Sequence, residues 1–320
     1  MSEPSQAWDR FWSYDRLSSF GTGKGAGNYD EPIAAGWRTF FAELPAGARV
    51  LDIATGNGAI AVIAVESGKK LKVTGTDLAA INPAAFVGGK QAVLKRIRFL
   101  GRVPAEELPF PDASFDAVVS QYGIEYSDMK RSLAEAVRVL APGGRLRFGT
   151  HAAEGDLAAD TKAAIADADF LLDELDLTGR AARAVEAVLS VERGHQSGPF
   201  AEVAAQGQYA EFRGGLQAVA ERVPNAVDQP MLASVHQALV SLFEDRQELG
   251  LQAVFTKLAA LREEIAAHRE RQQALLAAAL TAKQLAAIGK RLGKLGLSEV
   301  VHGEQRDGDR LIGHVVEARR

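Results

Sequence analysis

The spacing of hydrophobic positions changes several times along the chain, and the changes divide it into segments. Short apolar runs bounded by turn residues recur at 49–53, 71–76, 97–100, 115–120 and 145–150, the pattern of buried strands. Stretches near 58–67, 83–95 and 128–140 instead carry apolar residues at helical spacing. This alternation predicts a parallel α/β sheet over 47–151. From 152 to about 280 the chain is Ala-rich and helical. Leu251, Val254, Leu258, Leu261 and Ile265 share one helix face, and Val235, Leu239 and Leu242 continue a similar stripe upstream. A long helix or a broken pair is expected over roughly 230–280. Residues 281–296 predict one more helix. Two alternating runs, Glu299–Gln305 and Arg310–Ala318, then flank Asp307-Gly308, a strong hairpin signal. Ahead of the sheet, residues 1–46 carry Trp8, Phe11, Trp12, Tyr14, Phe20, Tyr29, Trp37, Phe40 and Phe41. Of these, Trp37, Phe40 and Phe41 are expected in the core. The predicted segments are therefore 1–46, 47–151, 152–280 and 281–320.

The first strand leads into the most informative stretch, Val50-Leu51-Asp52-Ile53-Ala54-Thr55-Gly56-Asn57-Gly58. A carboxylate at the end of an apolar strand has no packing role. Gly56 and Gly58 let the backbone turn sharply and approach a ligand closely. Strand, acid, glycine turn and helix together make a nucleotide-type cofactor site. Gly56-Asn57-Gly58-Ala59-Ile60-Ala61 also satisfies the loose dinucleotide fingerprint, with Asp77 at the distance of a ribose-binding acid. Asp52 weighs against a dinucleotide, because it would repel a pyrophosphate on the same turn. It suits a cofactor that carries an ammonium group and no phosphate, such as S-adenosylmethionine (SAM). The closing hairpin is a second argument against an ordinary dinucleotide fold.

Four motifs in order resemble the class I SAM-dependent methyltransferases, over roughly residues 47–151. Val50–Gly58 looks like their first motif, and its Ala-Thr-Gly form is similar to the ubiquinone/menaquinone C-methyltransferase branch. Thr74-Gly75-Thr76-Asp77-Leu78 looks like the second-strand motif. Ala105–Ser120 looks like the adenine loop and fourth strand, and Arg138–Leu146 like the turn before the fifth. The resemblance implies a Rossmann-like sheet ending in an antiparallel C-terminal hairpin, here with a large all-helical insertion between strands five and six. It implies that backbone at Ala54 and Gly56 contacts the methionine part of SAM, with Asp52 at its amino group, and that Thr55 and Gly58 also bind the cofactor. Asp77 would take the ribose hydroxyls, Leu78 would flank the adenine, and Ala105 and Glu106 would line its edge. Gln121 would lie near the sulfur. One position departs from the branch. Pro104 stands where an Asp usually accepts from the adenine amino group, which leaves adenine to the backbone around Ala105 and to apolar walls.

Substrate-side groups should come from the carboxyl ends of strands four and five. Tyr122 and Glu125 follow strand four, and His151 follows strand five. His151 is the best single candidate for a general base, because an imidazole titrates near neutral pH; capping or a surface position is the plain alternative. Glu125 is either a base or a cap of the next helix. His195, in a loop of the insertion, is a further candidate.

Composition narrows the reading. The net charge of -4 over 320 residues argues against a general nucleic-acid binder. The absence of cysteine excludes disulfides and thiolate metal sites, and no His/Asp/Glu cluster has metal spacing, so no catalytic metal is expected. No apolar window is long enough to cross a membrane. Met1–Gln6 lacks the features of a signal peptide, and a cytoplasmic location is expected. Gly21–Gly27 has neither the strand nor the Gly-Lys-Ser/Thr of a phosphate loop and is expected to be a hinge.

Charge is segregated inside the insertion: nine acids against three bases over 152–190, and eight bases against three acids over 257–294. The plain expectation is that the two arms pair or are solvated. The expected function is methyl transfer to a small apolar or aromatic acceptor, at oxygen or carbon. The insertion and the aromatic N-terminus would cap the pocket, or the insertion would form a homodimer. The alternatives are methylation of RNA or protein docked on the basic arm, and a non-catalytic SAM-binding scaffold.

Overall fold

Five parallel strands and an antiparallel pair form a single sheet in the computed structural model, which describes residues 3–19, 27–29, 31 and 33–320. The glycine-rich run at 21–26 lies outside the described residues. Helices α1 (Glu3–Trp12) and α2 (Ile33–Ala42) precede the sheet. The alternation then runs β1 (Arg49–Ile53), α3 (Ala59–Glu66), β2 (Lys72–Thr76), α4 (Pro83–Phe86), α5 (Gln91–Leu94), β3 (Arg98–Leu100), β4 (Phe115–Gln121), α6 (Met129–Val139) and β5 (Leu140–His151). Helices α7 (Asp156–Asp169), α8 (Leu177–Glu192), α9 (Pro199–Arg222), α10 (Gln229–Glu244), α11 (Arg246–Leu249), α12 (Leu251–Ala278) and α13 (Ala282–Lys294) follow. The hairpin β6 (Ser298–Asp307) and β7 (Arg310–Arg319) closes the chain. The strand order is β3-β2-β1-β4-β5-β7-β6, with β7 antiparallel to both β5 and β6. This is the Rossmann-like sheet with the expected C-terminal hairpin.

Each face of the sheet has its own core, because strands buried on both faces are apolar throughout. One core joins α2 and α3 to β1 and β2, with Trp37, Phe40 and Phe41 fully buried within it. Helix α3 is apolar all round and buried from Ala59 to Val65. The other core joins α6 and α13 to β4, β5 and β7 through Leu133, Val137, Leu146, Leu285, Leu292 and Val316.

Two boundaries differ from the periodicity. The single helix expected at 83–95 is two four-residue helices, because the chain extends at Val87 and turns left-handed at Gly89. Strand β5 begins at Leu140 rather than 145, since the Pro142-Gly143-Gly144 turn is carried inside it.

The chain divides into two compact units, residues 1–159 with 274–320, and residues 160–273. The second unit is all-helical. Its core includes Leu172, Val185, Phe212, Leu239, Val254, Leu258 and Ile265, so the stripe read on α12 is a core face. Of the two arrangements expected over 230–280, the broken one is found, with a break at Gly250, which has φ 78°. Within this unit the acidic and basic arms pair: Arg269 with Asp169 and Asp173, and Arg262 with Asp176. These pairs are partly exposed and contribute about 0–1 kcal/mol each, so the apolar cluster holds the unit together. His195 is exposed in the loop between α8 and α9. No described helix is long and apolar enough to cross a membrane.

Candidate active site

Chain reversals at the carboxyl ends of β1 and β4 build the site. Ala54 and Tyr122, the residues just past those strands, hold φ 54° and 55°, sparsely populated for non-glycine residues. The two ends approach so closely that a Cβ at Gly123 would lie 2.4 Å from Ala54 Cβ. Beyond Ala54, Thr55 Oγ1 donates to Asp52 Oδ2 at 2.5 Å, and Gly58, with φ 88°, opens α3.

Two buried carboxylates face this turn. Asp77 accepts from the Gly56 amide through Oδ2 and from the Ala79 amide through Oδ1, both at 2.8 Å. Burial raises both acids above the usual carboxylate range: Asp52 to about 7 and Asp77 to about 6. The Thr55 hydroxyl pulls Asp52 down and the nearby Asp77 charge pushes it up, while two backbone amides lower Asp77. No cation among the described residues forms an ion pair with either acid.

Helix α1 lies across the turn. Its Trp12 ring covers Gly56, where an added Cβ would sit 2.4 Å from the indole. Asn57 Nδ2 donates to the carbonyls of Trp12 and Arg16 at 3.0 and 2.8 Å. Asp9 accepts from the Ala80 amide and pairs with Arg102, and Asp15 accepts from the Gly88 amide. Phe11 and Trp12 pack on buried Ala79, whereas Leu78 remains 54% exposed. A cavity of about 30 Å³ is left, lined by Trp8, Trp12, Tyr29, Asp52, Gln121 and Tyr122 among others. Ala105 and Glu106 are half-buried in the loop before β4, and Glu106 Oε1 is taken by the Asp128 amide at 2.7 Å.

A buried polar chain runs from this cavity into the hairpin. Trp37 Nε1 donates to Gln121 Oε1 at 2.7 Å, and Gln121 Nε2 donates to Gln305 Oε1 at 3.0 Å. Tyr122 Oη donates to the same Gln305 oxygen at 2.5 Å. Burial drives the Tyr122 phenol well above its ordinary value, so it acts as a donor and a wall.

His151 and Glu125 form the second polar centre. Glu125 Oε1 accepts from the His151 amide at 3.0 Å and meets His151 Nδ1 at 2.8 Å. A ring proton on Nδ1, donated to Glu125 Oε1, would leave the basic lone pair on Nε2. The imidazole stacks on Tyr122 with centroids 4.4 Å apart and meets Tyr126 edge-on. Both residues are buried, so the surface alternative for His151 is excluded. The capping alternative for Glu125 is corrected as well: Asp128 caps α6, and Glu125 is turned inward to the histidine.

The geometry thus brings together Asp52, Ala54, Thr55, Gly56, Gly58, Asp77 and Gln121, with Tyr122, Glu125 and His151 adjoining. Gln305 and Trp37 were missed as site residues. A Gln is unusual among the β-branched and charged residues of the hairpin, but its partners stand 183 and 184 residues away.

A family model described as a methyltransferase domain matches residues 51–148. The matched segment, residues 51–148, is a methyltransferase domain. The domain is similar to the demethylmenaquinone methyltransferase of Thermus thermophilus, 41% identical over 101 residues, which are 31% of this chain and 44% of that one. It is also similar to the ubiquinone/menaquinone biosynthesis C-methyltransferase UbiE of Methylobacterium nodulans, 43% identical over 30% of this chain and 39% of that one. The chain therefore spans less than half the length of these curated relatives. Among solved structures, geranyl diphosphate C-methyltransferase from Streptomyces coelicolor aligns over 47% of this chain and 66% of that one, with 17% identity and a TM-score of 0.37.

Proposed function

We propose that this chain methylates a small hydroxylated aromatic acceptor, at ring carbon or at oxygen. The observation that carries the reading is the buried His151–Glu125 pair, 2.8 Å apart, stacked on the tyrosine that also lines the cavity at Asp52. The names of the relatives support a ring of the quinone class, in its reduced form.

The residues present fit SAM. Asp52 is a buried carboxylate with an aromatic-walled cavity beside it and no described cation paired to it, which suits the ammonium group. Each oxygen of Asp77 accepts one amide and retains a second lone pair, enough for two ribose hydroxyls. The backbone of Ala54, Thr55, Gly56 and Gly58 would line the methionine part, and exposed Leu78 would flank the adenine. Glu106 is committed to Asp128, so its role toward adenine reduces to holding the loop in which Ala105 offers backbone.

When bound, SAM supplies an electrophilic methyl group on a sulfonium. The chain's own task is orientation and proton removal. His151 Nε2 would take the hydroxyl proton, leaving its electron pair on the oxygen and, by conjugation, on the ring carbon beside it. Glu125 holds the imidazole in the tautomer that makes this feasible. The chain Trp37–Gln121–Gln305–Tyr122 fixes the side of the cavity that Gln121 and Tyr122 line.

The reading is tested by calorimetry with SAM and S-adenosylhomocysteine, followed by transfer of a labelled methyl group to reduced demethylmenaquinone. No binding of either ligand would overturn it. Asp77→Ala is expected to weaken SAM binding about 10- to 100-fold, the worth of one charged hydrogen bond or more. An unchanged affinity in the same titration would remove the ribose assignment.

A pH dependence follows from the raised acids. A protonated Asp52 cannot pair with an ammonium, so SAM affinity should rise as pH increases through about 6 to 7. Without ligand the trend in stability is opposite. The folded state retains protons that the unfolded chain releases near pH 4, so stability should fall as pH rises toward 7. Thermal melts at pH 5.5 and 8, with and without SAM, check both signs. A SAM-induced rise in Tm that is larger at pH 5.5 would contradict the assignment of Asp52.

A further inference from the structure

We propose that Trp8, Trp12, Tyr29 and Tyr122 form an aromatic cage that reads positive charge at the methionine end of the cofactor, so that the site prefers cationic SAM over its neutral thioether product. The proposal rests on the cofactor reading above and adds how the site tells the two apart.

Both forms carry the ammonium group, so a carboxylate at Asp52 would hold them about equally. They differ at sulfur: a sulfonium before transfer, an uncharged thioether after it. Discrimination therefore needs groups that respond to that charge without offering a proton. Aromatic faces do so, because the negative quadrupole of the ring attracts a cation and is nearly indifferent to a thioether.

The geometry around Asp52 has that form. Four of the residues lining the cavity are aromatic, two on α1 and two outside it. Trp8 and Trp12 stack on each other, centroids 6.2 Å apart and planes 21° from parallel, from the helix lying over the turn. Tyr29 and Tyr122 meet at 6.1 Å and 71°. Tyr122 is held by Gln305, and the main chain at Trp12 by Asn57, so the walls are positioned by hydrogen bonds as well as by packing. Glycine at position 56 is required for the Trp12 wall, which leaves no room for a Cβ. A buried carboxylate with aromatic walls and no paired cation is a site built for a positive charge.

Loss of the charge on methyl transfer then weakens the hold of the cage and favours release of product.

The test is calorimetric titration of the full chain with SAM, S-adenosylhomocysteine and sinefungin, whose amine carries a charge without a transferable methyl group. The unaltered protein should bind SAM and sinefungin more tightly than S-adenosylhomocysteine. Trp12→Leu should weaken SAM and sinefungin roughly 5- to 30-fold and S-adenosylhomocysteine less than about threefold, the difference expected for a desolvated cation–π contact. Trp12→Phe, which keeps a ring, should restore the preference. Trp8→Leu gives an independent reading should Trp12→Leu fail to fold. Equal losses for charged and neutral ligands, or an unchanged ratio in both leucine variants, would overturn the cage while leaving the cofactor reading intact. Failure of the unaltered chain to bind any of the three would overturn both.

Discussion

His151→Gln is expected to lower methyl transfer about 10²- to 10⁴-fold, the usual worth of a positioned general base, while SAM affinity stays within about twofold. The separation follows from the geometry. His151 is bonded to Glu125 and stacked on the far wall of Tyr122, and it does not line the cavity at Asp52. Glu125→Gln should lose less. Its amide oxygen still accepts from the His151 main chain, but it no longer stabilises the imidazolium that forms on proton transfer. The decisive readout is the pH profile with reduced demethylmenaquinone. The unaltered protein should show a limb that rises with pH, and that limb should disappear in His151→Gln. A His151→Gln protein that folds and keeps a third of the activity, or keeps the limb, would remove the base assignment.

Trp37→Ala should destabilise the fold by about 3–5 kcal/mol, the range for deleting a large buried aromatic. Trp37 is fully buried, stacked with Phe41 at 5.6 Å and covered by the Arg147 guanidinium at 4.9 Å. It also orients the Gln121 amide through Nε1. Trp37→Phe should retain most of the packing and lose the hydrogen bond, about 1 kcal/mol. Denaturant unfolding separates the two effects. A loss below about 1 kcal/mol in Trp37→Ala would show that the polar chain from Trp37 to Gln305 does not depend on this side chain.

The strand-acid-glycine stretch at 50–58, Asp77 and the final hairpin were legible in the sequence because each is contiguous. An apolar run, a carboxylate and two glycines state their conformation within ten residues, and Asp307-Gly308 between alternating runs states a hairpin. The helix expected at 83–95 was misjudged for a related reason: its apolar spacing was helical, but Gly88-Gly89 allowed the chain to break and follow the tertiary packing.

Partners of buried polar groups were not legible. Whether Glu125 capped a helix or held a histidine depended on β4 and β5 running side by side, which sets its carboxylate against His151 across 26 residues. Gln305 stood out among the hairpin residues, but its partners became visible only when β7 and β6 were added beyond β5, which brought it to Tyr122 and Gln121. The aromatic richness of residues 1–46 was plain, yet only folding put Trp12 on Gly56 and Trp37 beneath Gln121. The sequence by itself determined the sheet, the glycine turn and the acids beside it, because local spacing decides strands, turns and helix faces. The tertiary structure alone decided which buried donors and acceptors meet, because a desolvated polar group takes whichever partner the strand register brings within about 3 Å.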